Sequence, residues 1–366
     1  MRMTRIHHYY ARYLEHPSGV TDSIDHWARA AADAGWDARI LCAEPPAGRG
    51  HRQPSPLTRS IAHLGRGRGS YVPLGLLREL RLGDLLVIHE GWVLSNVVAA
   101  LVAKLCGARL VVMPHGVYER QIVENQRDVL GLRRHLDRLV LRMADAVHVF
   151  YAGEQDVVRA IEPRISCFVT VPNGADPVPD GEAWRGGGDH FLWIGRFDVL
   201  HKGLDNLVDA WARLPEPRPR LVLAGPDFRG GRARIAASVA AQGLTGSVEL
   251  RSHVGGTEKN ELLTTCRAYI HPSRWESCSI MLLEALAAGV PSLISRSIHA
   301  ADELGDEGIL GVVDLVAAEG ELASALERVD GDWELGRRAR SWASSVGTWD
   351  AVGRRAVDEY RRHAIN

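Results

Sequence analysis

Lysine is scarce in this chain, and so is an excess of charge of either sign. Only Lys104, Lys202 and Lys259 are lysines among 44 basic residues, and 45 acidic residues bring the formal net charge to −1. This balance excludes binding to nucleic acid or to an anionic membrane through overall charge. Hydrophobic residues make up 46% and charged residues 24%, which excludes a disordered or collagen-like chain. The position of each lysine is therefore informative.

Cysteines and long apolar runs are also few. The five cysteines, Cys42, Cys106, Cys167, Cys266 and Cys278, contain no C-x-x-C pair. Such a scattered, odd set excludes a disulfide scaffold and predicts reduced thiols. The first ten residues lack the apolar core of a secretory signal peptide, and stretches such as VVAALVAKL are too short to span a bilayer. We expect a cytoplasmic protein, and peripheral contact with the inner membrane face stays open.

Short apolar strands alternate with amphipathic segments of helix length. Strands are predicted at 38–42, 84–88, 109–113, 146–149 and 167–171, and then at 190–194, 220–224, 247–250, 268–271 and 291–294. Helices are predicted at about 21–34, 92–106, 129–143, 153–160, 203–213, 231–242, 257–265, 279–288 and 318–328. This alternation predicts an α/β fold with parallel sheets covered on both faces. Two such series predict two Rossmann-like domains.

A stretch rich in proline and glycine, residues 171–190, separates the two series. It predicts a hinge, with ligands bound where the carboxyl ends of the strands of both domains face a central cleft. The segment 43–70, rich in Gly, Pro and Arg, predicts a mobile surface loop. Its GRGRG run, residues 65–69, lacks the spacing of a dinucleotide-binding loop.

Residues suited to a diphosphate follow the first strand of the second series. In FLWIGRFDVLHKGLDNL the predicted strand ends at Gly195, Arg196 comes next, and Lys202 is predicted to open the following helix. Glycine allows close approach to the backbone, and an arginine fork with a lysine point charge suits a diphosphate. The alternative is a pair of solvated surface cations, against which the scarcity of lysine argues.

Two carboxylates bracket a predicted helix start in HPSRWESCSIMLLEALAAGVPSLIS. Glu276 is predicted in the loop, Glu284 within the helix, and the small residues 277–279 at the start of the helix. Free N–H groups at a helix start can bind phosphate, and nearby carboxylates can accept hydrogen bonds from sugar hydroxyls. A capped amphipathic helix with exposed acids is the alternative.

Three shorter motifs complete the candidates. VPNGAD, residues 171–176, predicts a tight turn at the hinge, and MPHG places His115 at the carboxyl end of a strand of the first series, although a structural histidine is the alternative. Asp330 and Asp332 form a D-x-D pair that could hold Mn²⁺ or Mg²⁺. Because the pair follows a helix without a third ligand, it predicts a turn rather than a metal site.

Together these motifs resemble the retaining GT-B glycosyltransferases of family 4, also called group 1. Glu276 and Glu284 match the E-x7-E signature of that family, and GRFDVLHKGLDNL and VPNGAD resemble its glycine–arginine–lysine stretch and its hinge turn. The C-terminal TWDAVGRRAVDEYRR resembles the last helix of the family, which crosses back to the N-terminal domain. The resemblance implies an N-terminal acceptor-side domain of residues 1–172 plus 347–366. It implies a nucleotide-sugar-binding domain of residues 173–346.

The resemblance implies transfer of a sugar from a UDP- or GDP-sugar to a hydroxyl acceptor, with no metal and no other cofactor. UDP is the first expectation. The leaving diphosphate is expected to be neutralised by Arg196, Lys202 and the N–H groups of Ile280 and Met281, next to Gly195 and Ser279. Such donors typically contribute about 2.7–4 kcal/mol each at a developing oxyanion.

The remaining implied roles concern the sugar and the nucleoside. Glu276 is expected to bind hydroxyls of the transferred sugar, and Glu284 those of the ribose. Backbone groups near Val254 are expected to select the base. His115 is expected near the reacting sugar, where it orients the sugar or stabilises positive charge without acting as a base.

Two departures from the family pattern bear on the donor. The first loop of the family often has two glycines, whereas Pro17-Ser18-Gly19-Val20 leaves only Gly19 beside the diphosphate. The usual Glu-Gly-Phe-Gly is Glu276-Ser277-Cys278-Ser279 here, which keeps the backbone N–H groups but narrows the space beside the sugar.

Several alternatives stay open. The chain could be a non-catalytic sugar-nucleotide-binding subunit, or a GT-B phosphorylase or sugar-phosphate synthase. The basic stretch 127–142 could dock on anionic lipid or could be an ordinary helix with a solvated outer face. The acceptor could be a saccharide, a lipid-linked saccharide or a small metabolite.

Overall fold

The computed structural model describes residues 5–15, 18–45, 52–65, 71–125, 132–315 and 321–365. The chain divides into two compact units. The first unit comprises Met1–Asn173 and Trp349–Asn366, and the second comprises Gly174–Thr348.

The first unit is built on a parallel sheet of seven strands in the order β3-β2-β1-β4-β5-β6-β7. Its strands are β1 (Arg5–Tyr9), β2 (Asp37–Cys42), β3 (Thr58–Ser60), β4 (Leu85–His89), β5 (Arg109–Met113), β6 (Ala146–Val149) and β7 (Phe168–Thr170). Its helices are α1 (Gly19–Asp33), α2 (Leu76–Glu79), α3 (Leu94–Leu105), α4 (Arg120–Asn125), α5 (Leu132–Met143), α6 (Glu154–Ile161) and, from the end of the chain, α15 (Trp349–Tyr360).

The second unit has a parallel sheet of six strands in the order β10-β9-β8-β11-β12-β13. Its strands are β8 (His190–Ile194), β9 (Arg220–Ala224), β10 (Val248–Arg251), β11 (Tyr269–His271), β12 (Ser292–Ser295) and β13 (Gly311–Val313). Its helices are α7 (Val199–Lys202), α8 (Leu204–Ala212), α9 (Gly231–Ala241), α10 (Gly256–Thr265), α11 (Ile280–Ala288), α12 (Ala300–Asp306), α13 (Glu321–Val329) and α14 (Trp333–Ser345). Two parallel sheets covered by helices confirm the predicted pair of Rossmann-like domains.

Apolar strands and helix faces form a core beside each sheet. In the second unit Trp193 and Trp211 are fully buried, and the Trp211 indole also donates a hydrogen bond to the Pro219 carbonyl oxygen at 3.0 Å. Burying a large apolar side chain contributes about 1.5–3 kcal/mol to folding. Residues from strands and helices pack in this core, and the strands that carry the candidate site leave it at their carboxyl ends.

Two strands of the first unit differ from the sequence predictions. β1 was not predicted, because its sequence RIHHY contains little aliphatic signal, yet it lies between β2 and β4 and is almost wholly buried. The prediction of a loop over the whole of 43–70 is wrong at β3, which pairs in parallel with β2. Residues 46–51 and 66–70, which include most of GRGRG, lie outside the described residues.

The last helix, α15, packs in the first unit, as predicted. A Cβ added at Gly353 would collide with Ala30 of α1, so the two helices touch at backbone distance. The Trp349 ring stacks on His26 with centroids 4.3 Å apart, and the Tyr360 hydroxyl lies 2.6 Å from Nδ1 of His148. The helix therefore covers one face of the seven-stranded sheet.

Two arginines of the basic helix α5 form ion pairs within the first unit. Arg138 and Arg142 both bind the buried carboxylate of Glu162, at 2.9 and 2.7 Å. Leu132 and Leu139 are exposed, and residues 126–131 of the predicted basic stretch lie outside the described residues. The described part of the chain contains no helix that is long and apolar enough to cross a membrane.

Candidate active site

The candidate site of the second unit lies at the centre of its sheet. β8 comes first in sequence but is flanked by β9 and β11, so the strand order reverses between β8 and β11. In open parallel sheets the carboxyl ends of strands at such a reversal form a ligand-binding crevice. The chain leaving β8 carries Gly195 and Arg196, and the chain leaving β11 carries Glu276.

Lys202 closes a short helix instead of opening one, which corrects the sequence prediction. It is the last residue of α7, and Gly203 follows in the left-handed region with φ of 61°. A Cβ on Gly203 would collide with the carbonyl oxygen of Pro272. The loop after β8 therefore lies against the loop after β11, and this brings Lys202 to Glu276.

We expect Gly203→Ala to destabilise the second unit. The αL conformation costs any other L-residue about 1–2 kcal/mol, and the collision with Pro272 adds about 1–3 kcal/mol. Gly243→Ala is the matched control, because Gly243 has φ of 68° and open space around its Cα. Urea unfolding should show a clearly larger loss of stability for Gly203→Ala. Equal losses would contradict the close approach of the two loops.

Lys202 and Glu276 form an ion pair between Nζ and Oε2. Their side chains are only 15% and 16% exposed. Nε2 of His271 lies 3.5 Å from the same carboxylate oxygen, and the Ser273 hydroxyl donates to it at 3.4 Å. Burial alone would raise the pKa of Glu276, but the Lys202 charge and the His271 contact outweigh burial and hold this pKa well below its ordinary value. Glu276 is therefore a carboxylate at neutral pH.

The contacts of Glu276 are one-sided. Every hydrogen bond and ion pair between a described residue and its carboxylate goes to Oε2. Oε1 is left for other hydrogen-bond donors, and a carboxylate oxygen accepts only hydrogen bonds. The arrangement suits a ligand hydroxyl.

Four aromatic residues that the sequence motifs did not single out surround this carboxylate. His271 contacts the Tyr269 hydroxyl through Nδ1 at 3.2 Å, and that hydroxyl reaches the Ile194 carbonyl oxygen at 3.5 Å. His201 stacks on Trp275 with centroids 4.8 Å apart, and burial lowers the pKa of His201 to about 4. The H-P-S motif was a usable signal, because it puts two polar side chains, His271 and Ser273, at the carboxyl end of a buried strand.

Arg196 is held by an aromatic face. Its guanidinium carbon lies 4.3 Å above the Phe228 ring, and it contacts Asp198 at 3.4 Å. The side chain remains 49% exposed, so the planar donors can reach a ligand. The preceding Gly195 packs against Gly225, where any Cβ would collide with the Gly195 carbonyl oxygen.

Helix α11 begins where the sequence predicted. Ser279 caps it and accepts a hydrogen bond from the Leu282 N–H at 3.2 Å. The N–H groups of Ile280 and Met281 are in the first turn, where a helix supplies no backbone acceptor. Together with the helix dipole they suit a phosphate oxygen.

Glu284, one turn into α11, pairs with a second lysine. Its Oε2 lies 2.9 Å from Nζ of Lys259, which comes from α10. Two of the three lysines of the chain therefore pair with the two glutamates of the E-x7-E motif. The rarity of lysine is visible in the sequence, but no sequence motif predicts a role for Lys259. Val254, just before α10, is buried, and the nearby Ser252 carbonyl oxygen accepts from the Gly225 N–H at 3.1 Å.

The D-x-D pair is occupied by structural contacts. Asp330 binds Arg267 through both carboxylate oxygens, and Asp332 caps α14 by accepting from the N–H groups of Glu334 and Leu335 at 3.0 Å. Within the described ranges no three His, Cys, Asp or Glu side chains are grouped to hold a metal ion.

Two predicted residues belong to the first unit. His115 follows β5 in a left-handed backbone conformation, with φ of 54°, and its Nε2 lies 2.8 Å from Nδ1 of His89. Gly19 is the exposed first residue of α1, whose cap, Ser18, forms a reciprocal capping box with Thr21. Both therefore lie at the carboxyl-end side of strands in the first sheet, where ligands bind in this class of fold.

Comparison with known proteins gives consistent matches. Residues 188–331 match the family model of the glycosyl transferases group 1, and residues 18–174 match that of the glycosyl transferase 4-like domain. The GDP-mannose:cellobiosyl-diphosphopolyprenol alpha-mannosyltransferase of Xanthomonas campestris is 24% identical over 82% of this chain and 80% of that protein. The D-inositol 3-phosphate glycosyltransferase of Streptomyces coelicolor is 26% identical over 76% of this chain and 69% of that protein.

Solved structures share the fold over nearly the whole chain. Sucrose-phosphate synthase from Thermosynechococcus elongatus has a TM-score of 0.76 at 22% identity and covers 98% of this chain and 99% of its own. Anabaena HepE in complex with UDP and glucose has a TM-score of 0.72 at 15% identity, over 98% of this chain and 100% of its own. With two family models that together span most of its length, the chain belongs to the group 1, family 4-like glycosyltransferases of the GT-B fold.

Proposed function

We propose that the protein is a retaining hexosyltransferase that moves a sugar from a nucleotide-diphosphate sugar to a hydroxyl acceptor without a metal ion. The pairing of Lys202 with Glu276 beside the start of α11 carries this proposal. A cation, a helix N-terminus and a carboxylate with one uncommitted oxygen suit a diphosphate and a sugar hydroxyl as neighbours.

We assign to each group a role that its charge supports. Arg196, Lys202 and the first-turn N–H groups of α11 stabilise negative charge on the leaving diphosphate, which is the task that a metal ion performs in other enzymes. Glu276 accepts hydrogen bonds from the transferred sugar, and Glu284 accepts them from the ribose. The sugar–diphosphate C–O bond breaks, a bond from the sugar to the acceptor oxygen forms on the same face, and the acceptor proton passes to the leaving phosphate.

The nucleotide is a uridine or guanosine diphosphate. The Xanthomonas relative acts on GDP-mannose by its name, and the match to it covers most of both chains, which supports the guanosine form. That name also includes a diphosphopolyprenol, which supports a lipid-linked saccharide as acceptor. The free cysteines, among them the buried Cys42 and Cys266, suit catalysis in the reducing cytoplasm.

The decisive assay supplies GDP- and UDP-sugars of known anomeric configuration in the presence of EDTA. We expect glycoside formation with one nucleotide, tighter calorimetric binding of the matching free nucleotide, and a product that retains the donor's anomeric configuration. Inversion, or activity that EDTA abolishes and Mn²⁺ restores, would contradict the mechanism. Sugar release that depends on inorganic phosphate in place of a nucleotide would identify a phosphorylase.

A further inference from the structure

Two histidines from neighbouring strands and a third from a strand-end loop are linked by hydrogen bonds in the first unit. Nδ1 of His8 lies 3.0 Å from Nε2 of His89, and Nδ1 of His89 lies 2.8 Å from Nε2 of His115. His8 and His89 are at most 1% exposed, whereas His115 is partly exposed. β1 and β4 are neighbours at the strand-order reversal of this sheet, and β5 lies next to β4. The row of hydrogen-bonded histidines thus extends from the buried core to the loop after β5 that carries His115.

All three imidazoles are neutral at neutral pH. Burial lowers the pKa of His8 and of His115 to about 3, with a further decrease from neighbouring histidines, and it lowers the pKa of His89 well below its ordinary value. A neutral imidazole has one N–H donor and one acceptor nitrogen. The three rings can therefore form both hydrogen bonds in only two ways, with every proton on Nδ1 or with every proton on Nε2.

The buried end of the chain distinguishes these two arrangements. Nε2 of His8 is buried and has no hydrogen-bond partner among the described residues. With every proton on Nε2, this atom would be a buried N–H without an acceptor, which is rare in folded proteins. With every proton on Nδ1, only a lone pair is left unsatisfied there. The arrangement with every proton on Nδ1 is therefore favoured, and in it His115 carries its proton on Nδ1.

The same reasoning applies to a neighbouring histidine and gives the opposite tautomer. Nε2 of His148 lies 2.8 Å from the Val171 carbonyl oxygen, which can only accept, so this nitrogen carries the proton. Nδ1 of His148 then accepts from the Tyr360 hydroxyl. Each buried histidine on this face of the sheet thus has its tautomer set by its own partner.

We propose that His8 and His89 are positioning residues that hold His115 as a neutral imidazole with its proton on Nδ1, so that His115 donates a hydrogen bond to a substrate oxygen at the carboxyl end of the first sheet. Among the described residues nothing hydrogen-bonds to Nδ1 of His115, whereas Nε2 is engaged by His89. In this form His115 has no lone pair to offer a ligand and cannot take the acceptor proton. The functional part of this inference rests on the proposed transfer reaction.

The test is the tautomer of His115 in the ligand-free protein. Long-range proton–nitrogen NMR spectra of ¹⁵N-histidine-labelled protein at pH 7, assigned by the signal lost in His115→Gln, should show a protonated Nδ1 and an unprotonated Nε2. His89→Leu removes the donor to Nε2, so the Nε2-protonated form should appear and turnover should fall by about 10²-fold. His89→Gln, whose amide can donate, should retain the tautomer and most of the turnover.

His63→Leu is the matched control. His63 is a half-buried histidine of the same unit that bonds Tyr9 and the Ile61 carbonyl oxygen, outside the chain of three. Its replacement should leave the His115 spectrum and turnover unchanged. A wild-type protein with the His115 proton on Nε2 overturns the proposal, as does an unchanged tautomer in His89→Leu. The spectrum needs no substrate, so an inactive protein with a protonated Nδ1 would contradict the proposed transfer reaction and not the positioning of His115.

Discussion

Lys202→Ala is expected to weaken nucleotide binding and to lower turnover together. In the proposed reaction Lys202 contacts the diphosphate in the bound donor and also while the diphosphate leaves the sugar. A hydrogen bond to a charged group is worth about 1.5–3 kcal/mol. Affinity for the free nucleoside diphosphate should therefore fall about 10- to 100-fold by calorimetry. Turnover should fall by a further factor of about 10² to 10³, because charge on the leaving group increases in the transition state.

Two variants separate this role from simple damage to the fold. Lys104→Ala removes a lysine that pairs with Asp145 at 2.7 Å in the first unit, and it should change neither binding nor turnover. Lys202→Ala also leaves Glu276 without its cation partner, which destabilises a largely buried carboxylate. The double variant Lys202→Ala/Glu276→Gln should recover thermal stability but not nucleotide affinity. Recovery of affinity in the double variant would show that Lys202 acts only by holding Glu276.

Unlike Lys202→Ala, the Glu276→Ala substitution should not weaken nucleotide binding, but it should still abolish most of the activity. This carboxylate is assigned to the transferred sugar, so its loss should lower turnover by a factor on the order of 10² or more through lost positioning. Free nucleotide should bind as tightly as in the wild type or more tightly. The reason is that Lys202, released from its ion pair, gains freedom to meet the diphosphate.

The isosteric Glu276→Gln should follow Glu276→Ala in turnover, because the neutral amide is a weaker acceptor than the carboxylate. Glu249→Gln removes a carboxylate that contacts Arg220 and Arg251 at the edge strand β10, and it serves as the control with wild-type kinetics. A Glu276 variant that binds no nucleotide, or one with full turnover, would contradict the assigned role.

Glu284→Ala should resemble Lys202→Ala in losing nucleotide affinity, since ribose contacts belong to the nucleotide.

Local sequence was sufficient to predict the position of a site residue where the motif lies within one loop. Gly195 and Arg196 directly follow β8, and the cap Ser279 directly precedes α11, so both positions were predictable from adjacent residues. The alternation of strands and helices predicted a parallel sheet in each half but not the edge strands β3 and β13. β1 escaped prediction because its burial comes from its neighbours β2 and β4 and not from aliphatic residues of its own.

Pairings between distant parts of the sequence could not be predicted in this way. Lys259 of α10 reaches Glu284 of α11 across 25 positions, and His8 of β1 reaches His89 of β4 across 81. No periodicity encodes such contacts, since they depend on which strands and helices become neighbours. The position of Lys202 at the end of α7 was also missed, because the break at Gly203 comes from a tertiary contact with Pro272.

The placement of α15 has a consequence for biosynthesis. A ribosome completes all of Gly174–Thr348 before it makes α15, which packs against His148 of the first sheet. The second unit can therefore mature while the nascent first unit still exposes Trp27 and His148, which α15 later covers through Trp349 and Tyr360. A stop codon that prevents synthesis of Trp349–Asn366 would thus damage the half of the protein that was synthesised first.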